Sequence, residues 1–277
     1  MNTIKKIALA IGLAASFSGT SAFAAPSFSL AGGYTGDIVI KFRNFENVTP
    51  TLTTGAENFG VLNITSITDT VGNNLWTSGG SNGYLAGIFA DITVLSSIPD
   101  SGGGLNVQGT GGQLDIYLSS TAPNAAQGLA GYGAAGCAPG DLCYNTISNT
   151  GDGILFLSLA FASGIDPTNP MVTVDANFDG TTFPTSGDAS SYMNVIGGAY
   201  AANFDTNGLA TAFGVRDMFT QNDFCDNGTP SCGSVGDWDL QSDDPTRASF
   251  RTVPEPSTTA LLGLGLLGLA VTARRKK

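Results

Sequence analysis

Between residues 26 and 252 the apolar residues alternate with polar ones over short stretches, and no segment keeps a helical period for three turns. The stretch 37–45 shows this alternation most clearly, because three apolar side chains fall on one face of a strand: Ile38, Ile40 and Phe42. Glycine, serine, threonine and asparagine separate such stretches, as they do in the turns of antiparallel sheets. The pattern therefore predicts an all-β body.

The apolar stretches predict nine strands, at residues 37–45, 60–68, 84–95, 113–119, 154–162, 171–178, 193–200, 212–219 and 248–253. In the second of these, Leu62 and Ile64 are expected to face away from Ile67. The stretch 154–161 is apolar on both faces, which predicts a central strand that is covered on both sides.

The length and the turn spacing predict one domain over residues 25–252, an antiparallel β-sandwich of jelly-roll type. The segment 121–136 is rich in alanine and glycine, and it predicts either a short helix or a long surface loop. No linker divides the body into two domains.

The C-terminus has three parts in a fixed order. Four residues open it: Val253, Pro254, Glu255 and Pro256. An apolar run over residues 259–273 follows, and four cations end the chain: Arg274, Arg275, Lys276 and Lys277. As a helix the run would span about 22 Å, whereas the hydrocarbon core of a bilayer is roughly 30 Å thick. A short transmembrane helix that holds the protein only transiently is therefore predicted, with the cations as a stop on the cytoplasmic side.

This tail resembles the PEP-CTERM sorting signal over residues 253–277. The resemblance implies that an exosortase, a membrane-embedded transpeptidase-like protease, recognises and cleaves the tail. It also implies export to the cell surface or the extracellular matrix of a Gram-negative bacterium that makes exopolysaccharide. The alternative is a permanent single-span anchor, which the short, glycine-rich run disfavours. The resemblance covers about a tenth of the chain, and it implies nothing about the activity of the body.

The N-terminus indicates export as well. Lys5 and Lys6 precede an apolar stretch over residues 7–17, and Ala22-Phe23-Ala24 has the small-x-small pattern of a cleavage site. These features predict a secretory signal peptide over residues 1–24 that signal peptidase removes. The alternative is a buried N-terminal helix.

The body between the two terminal segments is strongly acidic. Its five Lys and Arg residues stand against twenty-one Asp and Glu, which gives a net charge of about −16. Such a charge argues against nucleic acid as a partner and fits solubility outside the cell. The chain has no histidine, so Ser-His-Asp catalysis and His-ligated zinc are excluded. We expect a protein that is not an enzyme and holds no organic cofactor.

The four cysteines form two close pairs, Cys137 with Cys143 and Cys225 with Cys232. In an exported chain an even number of cysteines predicts disulfides. Three pairings are possible, and local pairing is favoured because proline and glycine bend both short loops. The alternative, four thiolates on zinc, lacks the usual Cys-x2-Cys spacing.

One acidic cluster predicts a site for Ca²⁺, the one candidate ion: Asp237, Asp239, Asp243 and Asp244. Asp237 and Asp239 would point the same way if they lay two apart on a strand. The alternative is a solvated acidic loop beside a disulfide. An Asp-based hydrolase is a further hypothesis, and only two glutamates in the body, Glu46 and Glu57, offer the residue type that secreted glycosidases use most.

Trp76 and Trp238 are the candidates for a sugar-stacking platform, because the faces of aromatic rings suit the C–H groups of sugars. Six tyrosines are further candidates: Tyr84, Tyr117, Tyr132, Tyr144, Tyr192 and Tyr200. The alternative is that these aromatic residues fill the core. The favoured function is an exported surface or matrix protein that associates with exopolysaccharide. The alternatives are a carbohydrate-binding or Ca²⁺-dependent adhesion module and a hydrolase.

Overall fold

The structure is a computed structural model that describes residues 28–49, 52–131, 144, 147, 153–243 and 245–253. Its strands are β1 (Gly36–Thr49), β2 (Glu57–Asp69), β3 (Asn74–Thr77), β4 (Tyr84–Pro99), β5 (Leu105–Ser119), β6 (Ile154–Ala162), β7 (Val174–Phe178), β8 (Gly187–Gly197), β9 (Leu209–Thr211), β10 (Gly214–Arg216), β11 (Met218–Asp226), β12 (Leu240–Ser242) and β13 (Pro245–Phe250). Its short helices are η1 (Ala31–Gly33), η2 (Gly80–Asn82), η3 (Ala125–Gly131) and α1 (Ala201–Phe204).

Eight of these strands close into one antiparallel barrel: β1, β2, β4, β5, β6, β8, β11 and β13. Each pairs with the next of them along the chain, and β13 pairs back with β1, where Ile38 lies opposite Ala248. The all-β, antiparallel prediction is confirmed. A single closed sheet takes the place of the two sheets of the predicted sandwich, because β1 has a partner on each of its sides.

Two short strands continue the wall where a longer strand ends. β7 lies between β5 and β8 beyond the end of β6, and β12 lies between β1 and β11 beyond the end of β13. β3 extends the sheet beside β2, whereas β9 and β10 form a separate hairpin. The barrel thus keeps eight strands around its circumference along most of its length.

A bulge in β2 corrects one predicted orientation. The pairing of β1 with β2 shifts register between Lys41 and Phe42, so that Thr65 is an extra residue in β2. An extra residue reverses the alternation of side chains beyond it. Ile67 therefore joins Leu62 and Ile64 in one buried cluster, and the prediction that Ile67 faces the other way is wrong.

The core has an inner and an outer part. Aromatic residues close one end of the barrel, which we call the base: Phe28, Trp76, Phe156, Tyr200, Phe204 and Phe250. Outside the barrel, Phe45, Val61 and Ile88 are covered by Tyr144 and Trp238. The chain therefore covers both faces of this part of the sheet, which explains the apolar residues at successive positions of its strands.

Several predicted elements have counterparts in the structure. The strand predicted at 154–162 has the observed bounds of β6, and the segment 121–136 contains the short helix η3. The strand predicted at 212–219 is divided between β10 and β11, and β3, β9 and β12 were not predicted. The described residues contain no helix long and apolar enough to cross a membrane. The predicted signal peptide (1–24) and tail helix (259–273) lie outside the described residues.

Candidate functional site

The two predicted sugar-stacking tryptophans are buried. Trp76 is 4% exposed and packs in the base, with its ring 6.1 Å from that of Phe28. Trp238 is also 4% exposed, and its indole Nε1–H donates to the carbonyl of Ala125 at 3.0 Å. Stacking by these two residues stays a prediction that their burial does not support. Burial of these large apolar rings in a core is more favourable than their exposure to water.

The predicted calcium ligands serve the fold. The Asp237 carboxylate accepts the backbone N–H of Leu129 at 2.6 Å. That of Asp239 accepts the backbone N–H of Val48 at 3.1 Å and the side-chain amide of Asn47 at 2.8 Å. Burial raises the pKa of Asp239 above its usual range.

In the described part of the chain, no three His, Cys, Asp or Glu residues come together as a metal site. Asp243 is exposed, and Asp244 lies outside the described residues. The calcium site therefore stays a prediction that the geometry around Asp237 and Asp239 does not support.

One of the two cysteine pairs is described. Cys225 and Cys232 form a disulfide, with their Cα atoms 6.0 Å apart. Local pairing is thus confirmed for these two cysteines. Cys137 and Cys143 lie outside the described residues, and their pairing stays a prediction.

A cavity of about 140 Å³ lies inside the barrel. An eight-stranded barrel leaves an interior that is either filled by side chains or able to hold one small ligand. Most of the wall is apolar, and its larger side chains include Phe42, Leu114, Leu159, Met193, Met218 and Phe224. The wall also contains polar residues, of which Asn44, Glu46 and Asn58 lie on the neighbouring strands β1 and β2.

Glu46 is the one acidic residue in the described wall of this cavity. Its two carboxylate oxygens accept hydrogen bonds from different amides, Asn44 Nδ2 at 2.5 Å and Asn58 Nδ2 at 3.0 Å. Burial raises the pKa of Glu46, although both hydrogen bonds favour its charged form. Glu57 is exposed and precedes the cavity-lining Asn58, so the two glutamates lie on opposite sides of the wall and do not form a facing catalytic pair.

A chain of hydrogen bonds leads to this carboxylate from the far side of β1. Asn222 Nδ2 on β11 donates to Ser242 Oγ on β12 at 3.0 Å. The Ser242 hydroxyl in turn donates to Asn44 Oδ1 on β1, and Asn44 donates to Glu46. Thr220 also lines the cavity, and its buried hydroxyl has no hydrogen-bond partner. We call the set Asn44, Glu46, Asn58, Asn222 and Ser242 the polar relay.

Sequence reasoning missed the polar relay, although part of the signal was present. The inward face of β1 carries Ile38, Ile40 and Phe42, and the same alternation places Asn44 and Glu46 inside the barrel. The predicted strand ended at residue 45, one position too early to include the glutamate. The contributions of Asn222 and Ser242 depend on long-range pairing that no local pattern encodes.

The raised pKa of Glu46 predicts a pH dependence of stability. The folded protein retains the Glu46 proton at pH values where the unfolded chain, with a pKa near 4.5, has lost it. Glu46 therefore destabilises the folded state as the pH rises through this window. In urea unfolding, the variant Glu46→Gln should gain stability relative to the wild type between pH 4 and neutrality. If the difference in the free energy of unfolding between the two proteins stayed constant across this range, the raised pKa of Glu46 would be contradicted.

The outer surface carries a partly exposed aromatic pair. Tyr192 on β8 lies opposite Phe219 on β11, and their ring centroids are 5.0 Å apart. Arg247 on β13 lies opposite Phe219 on its other side. A recess of about 190 Å³ is lined by Phe219, Gln221, Asp223, Pro245 and Arg247. We call Tyr192, Phe219, Gln221 and Arg247 the aromatic face; of the predicted stacking residues, only Tyr192 belongs to it.

Comparison with known proteins finds a match at the C-terminal tail. No curated protein and no solved structure matches the chain. The family model of the PEP-CTERM protein-sorting motif matches residues 252–276, the part of the chain where the sequence resemblance was found. The tail therefore carries the PEP-CTERM sorting motif, which marks this chain as an exported, cell-surface protein that an exosortase processes.

Proposed function

We propose that the protein is a non-enzymatic component of the cell surface or extracellular matrix that associates with exopolysaccharide. The sorting motif at residues 252–276 carries this proposal, because it directs the barrel to the place where the polymer accumulates. On this route signal peptidase cleaves after Ala24. The tail helix then holds the protein in the inner membrane until the exosortase acts.

The aromatic face supports contact with a polysaccharide. Tyr192 and Phe219 are partly exposed on neighbouring strands, so their rings form a continuous apolar strip for the C–H faces of sugar rings. Gln221 and Arg247 beside the strip supply N–H donors for sugar hydroxyls. The net charge of about −16 repels anionic polymers. We therefore propose that neutral segments of the polymer bind here.

The variant Phe219→Ala should bind the native exopolysaccharide about 3- to 10-fold more weakly than the wild type, since one exposed aromatic contact contributes about 0.5–1.5 kcal/mol. The measurement is affinity electrophoresis of protein purified from the native host, in gels that contain the purified polymer.

Tyr84→Ala is the matched control, because Tyr84 is a partly exposed aromatic residue on β4, away from the aromatic face. Its binding should equal that of the wild type. If Phe219→Ala bound the polymer as tightly as the wild type, the aromatic face would not be the binding surface. Failure of the wild type to bind the polymer would overturn the association itself.

Two other functions remain weaker hypotheses. A Ca²⁺-dependent adhesion module would need oxygen ligands that converge, and the described aspartates do not supply them. An Asp-based hydrolase would need two carboxyl groups that face each other across a cleft. No feature of the described residues favours either one over the non-enzymatic proposal.

A further inference from the structure

We propose that the barrel interior binds a small apolar molecule with one protonated amine, and that the amine contacts the carboxylate of Glu46. This site is inside the barrel and is independent of the aromatic face outside it. The proposal therefore stands or falls separately from association with exopolysaccharide.

The size of the cavity sets the size of the ligand. Its volume of about 140 Å³ is close to the roughly 150 Å³ of an engineered apolar cavity that binds benzene. A ligand of about six to nine non-hydrogen atoms would fill such a space. The apolar part of the ligand would contact the wall that Leu114, Leu159 and Met193 form.

The direction of the hydrogen bonds selects the charge of the ligand. Each amide or hydroxyl of the polar relay donates toward Glu46, from Asn222 through Ser242 and Asn44, and Asn58 donates from the other side. Donors that converge on one carboxylate from two sides stabilise its negative form. These hydrogen bonds favour the charged form of Glu46, whereas burial disfavours it.

The described wall of the cavity supplies no cation beside Glu46. Of the described residues that line the cavity, none is lysine or arginine. Arg43 lies nearby in sequence, but it is exposed and donates to Gln241 outside the barrel. Burial removes water from this carboxylate, and no lysine or arginine in the described wall offsets its charge. A ligand that carries a positive charge is therefore favoured beside it. A protonated amine has this charge and donates the hydrogen bonds that the carboxylate oxygens accept.

The test compares three ligands with the same six-carbon chain: hexylamine, 1-hexanol and hexanoate. Binding to protein purified from the native host is measured by isothermal titration calorimetry at pH 7.5. Hexylamine should bind at least about tenfold more tightly than 1-hexanol, as expected for a hydrogen bond to a charged group. Hexanoate should bind most weakly, because its charge repels that of Glu46.

Glu46→Gln keeps the shape of the side chain and removes its charge, so it is the matched variant. It should bind hexylamine and 1-hexanol with affinities within about threefold of each other. A preference for the amine that persists in Glu46→Gln would overturn the proposal. So would a wild-type protein that does not prefer the amine or binds none of the three ligands.

The pH dependence gives a second readout that needs no variant. Affinity for hexylamine should fall as the pH is lowered and Glu46 takes up a proton, and affinity for the uncharged 1-hexanol should change less. Because hexylamine remains protonated throughout this range, the change reports on the protein. An amine affinity that does not change between pH 7.5 and 4 would count against Glu46 as the contact.

Discussion

Replacement of Phe156 by alanine should lower the free energy of unfolding by about 3–5 kcal/mol. Phe156 is 1% exposed, and its ring centroid lies 4.7 Å from those of both Phe28 and Tyr200. The strand that carries it, β6, is fixed by pairing with β5 and β8, so the barrel cannot collapse into the space that the ring leaves. Urea unfolding at neutral pH, followed by tryptophan fluorescence, measures the loss, since Trp76 lies in the same cluster.

Phe219→Ala is the matched control for this experiment. It removes the same side chain from a partly exposed position, and it should cost about 1 kcal/mol or less. A similar loss of stability in the two variants would show that the aromatic base is not a main contributor to the stability of the barrel.

Replacement of Pro254, Glu255 and Pro256 by alanine should abolish removal of the tail. These residues lie inside the sorting motif at residues 252–276, and proline disfavours a helix at its own position and at the one before it. Three alanines would let a helix continue through the segment and would remove its one carboxylate. Intact-mass analysis of the protein from the membrane and from the medium of the native host should then find only chains that still end at Lys277.

The control variant carries Arg274→Lys and Arg275→Lys, which keep the positive charge and leave the Pro-Glu-Pro sequence unchanged. It should be processed like the wild type. Formation of the Cys225–Cys232 disulfide in both variants shows that export and folding are intact. A triple-alanine variant that still loses its tail would mean that the protease does not read these three residues.

The alternation of apolar and polar residues predicts most of the barrel strands, but it does not predict how the strands pair. The predicted stretch 37–45 placed Ile38, Ile40 and Phe42 on one face, and all three are buried. The bulge at Thr65 was not predictable, because an extra residue becomes visible only against the partner strand. Closure depends on the pairing of β1 with β13, about two hundred residues later in the chain, and alternation alone does not distinguish a closed barrel from a sandwich.

The candidate site was less predictable than the fold. Trp76 and Trp238 were selected for their residue type, yet burial of their large apolar area decides where they lie. From the sequence, Glu46 is a candidate only because glycosidases use glutamate. Asn222 and Ser242 connect to Glu46 through Asn44, because β12 lies between β11 and β1. Local patterns do not carry such information.

The aromatic base also brings the two ends of the described body together. Phe28 and Phe250, near the two ends of the described body, have ring centroids only 6.2 Å apart. Phe250 lies opposite Gly36, and Glu46 lies ten residues further along the same strand, at a distance of up to roughly 30 Å. The sorting motif at residues 252–276 therefore begins beside the base, and Glu46 lies toward the other end of β1.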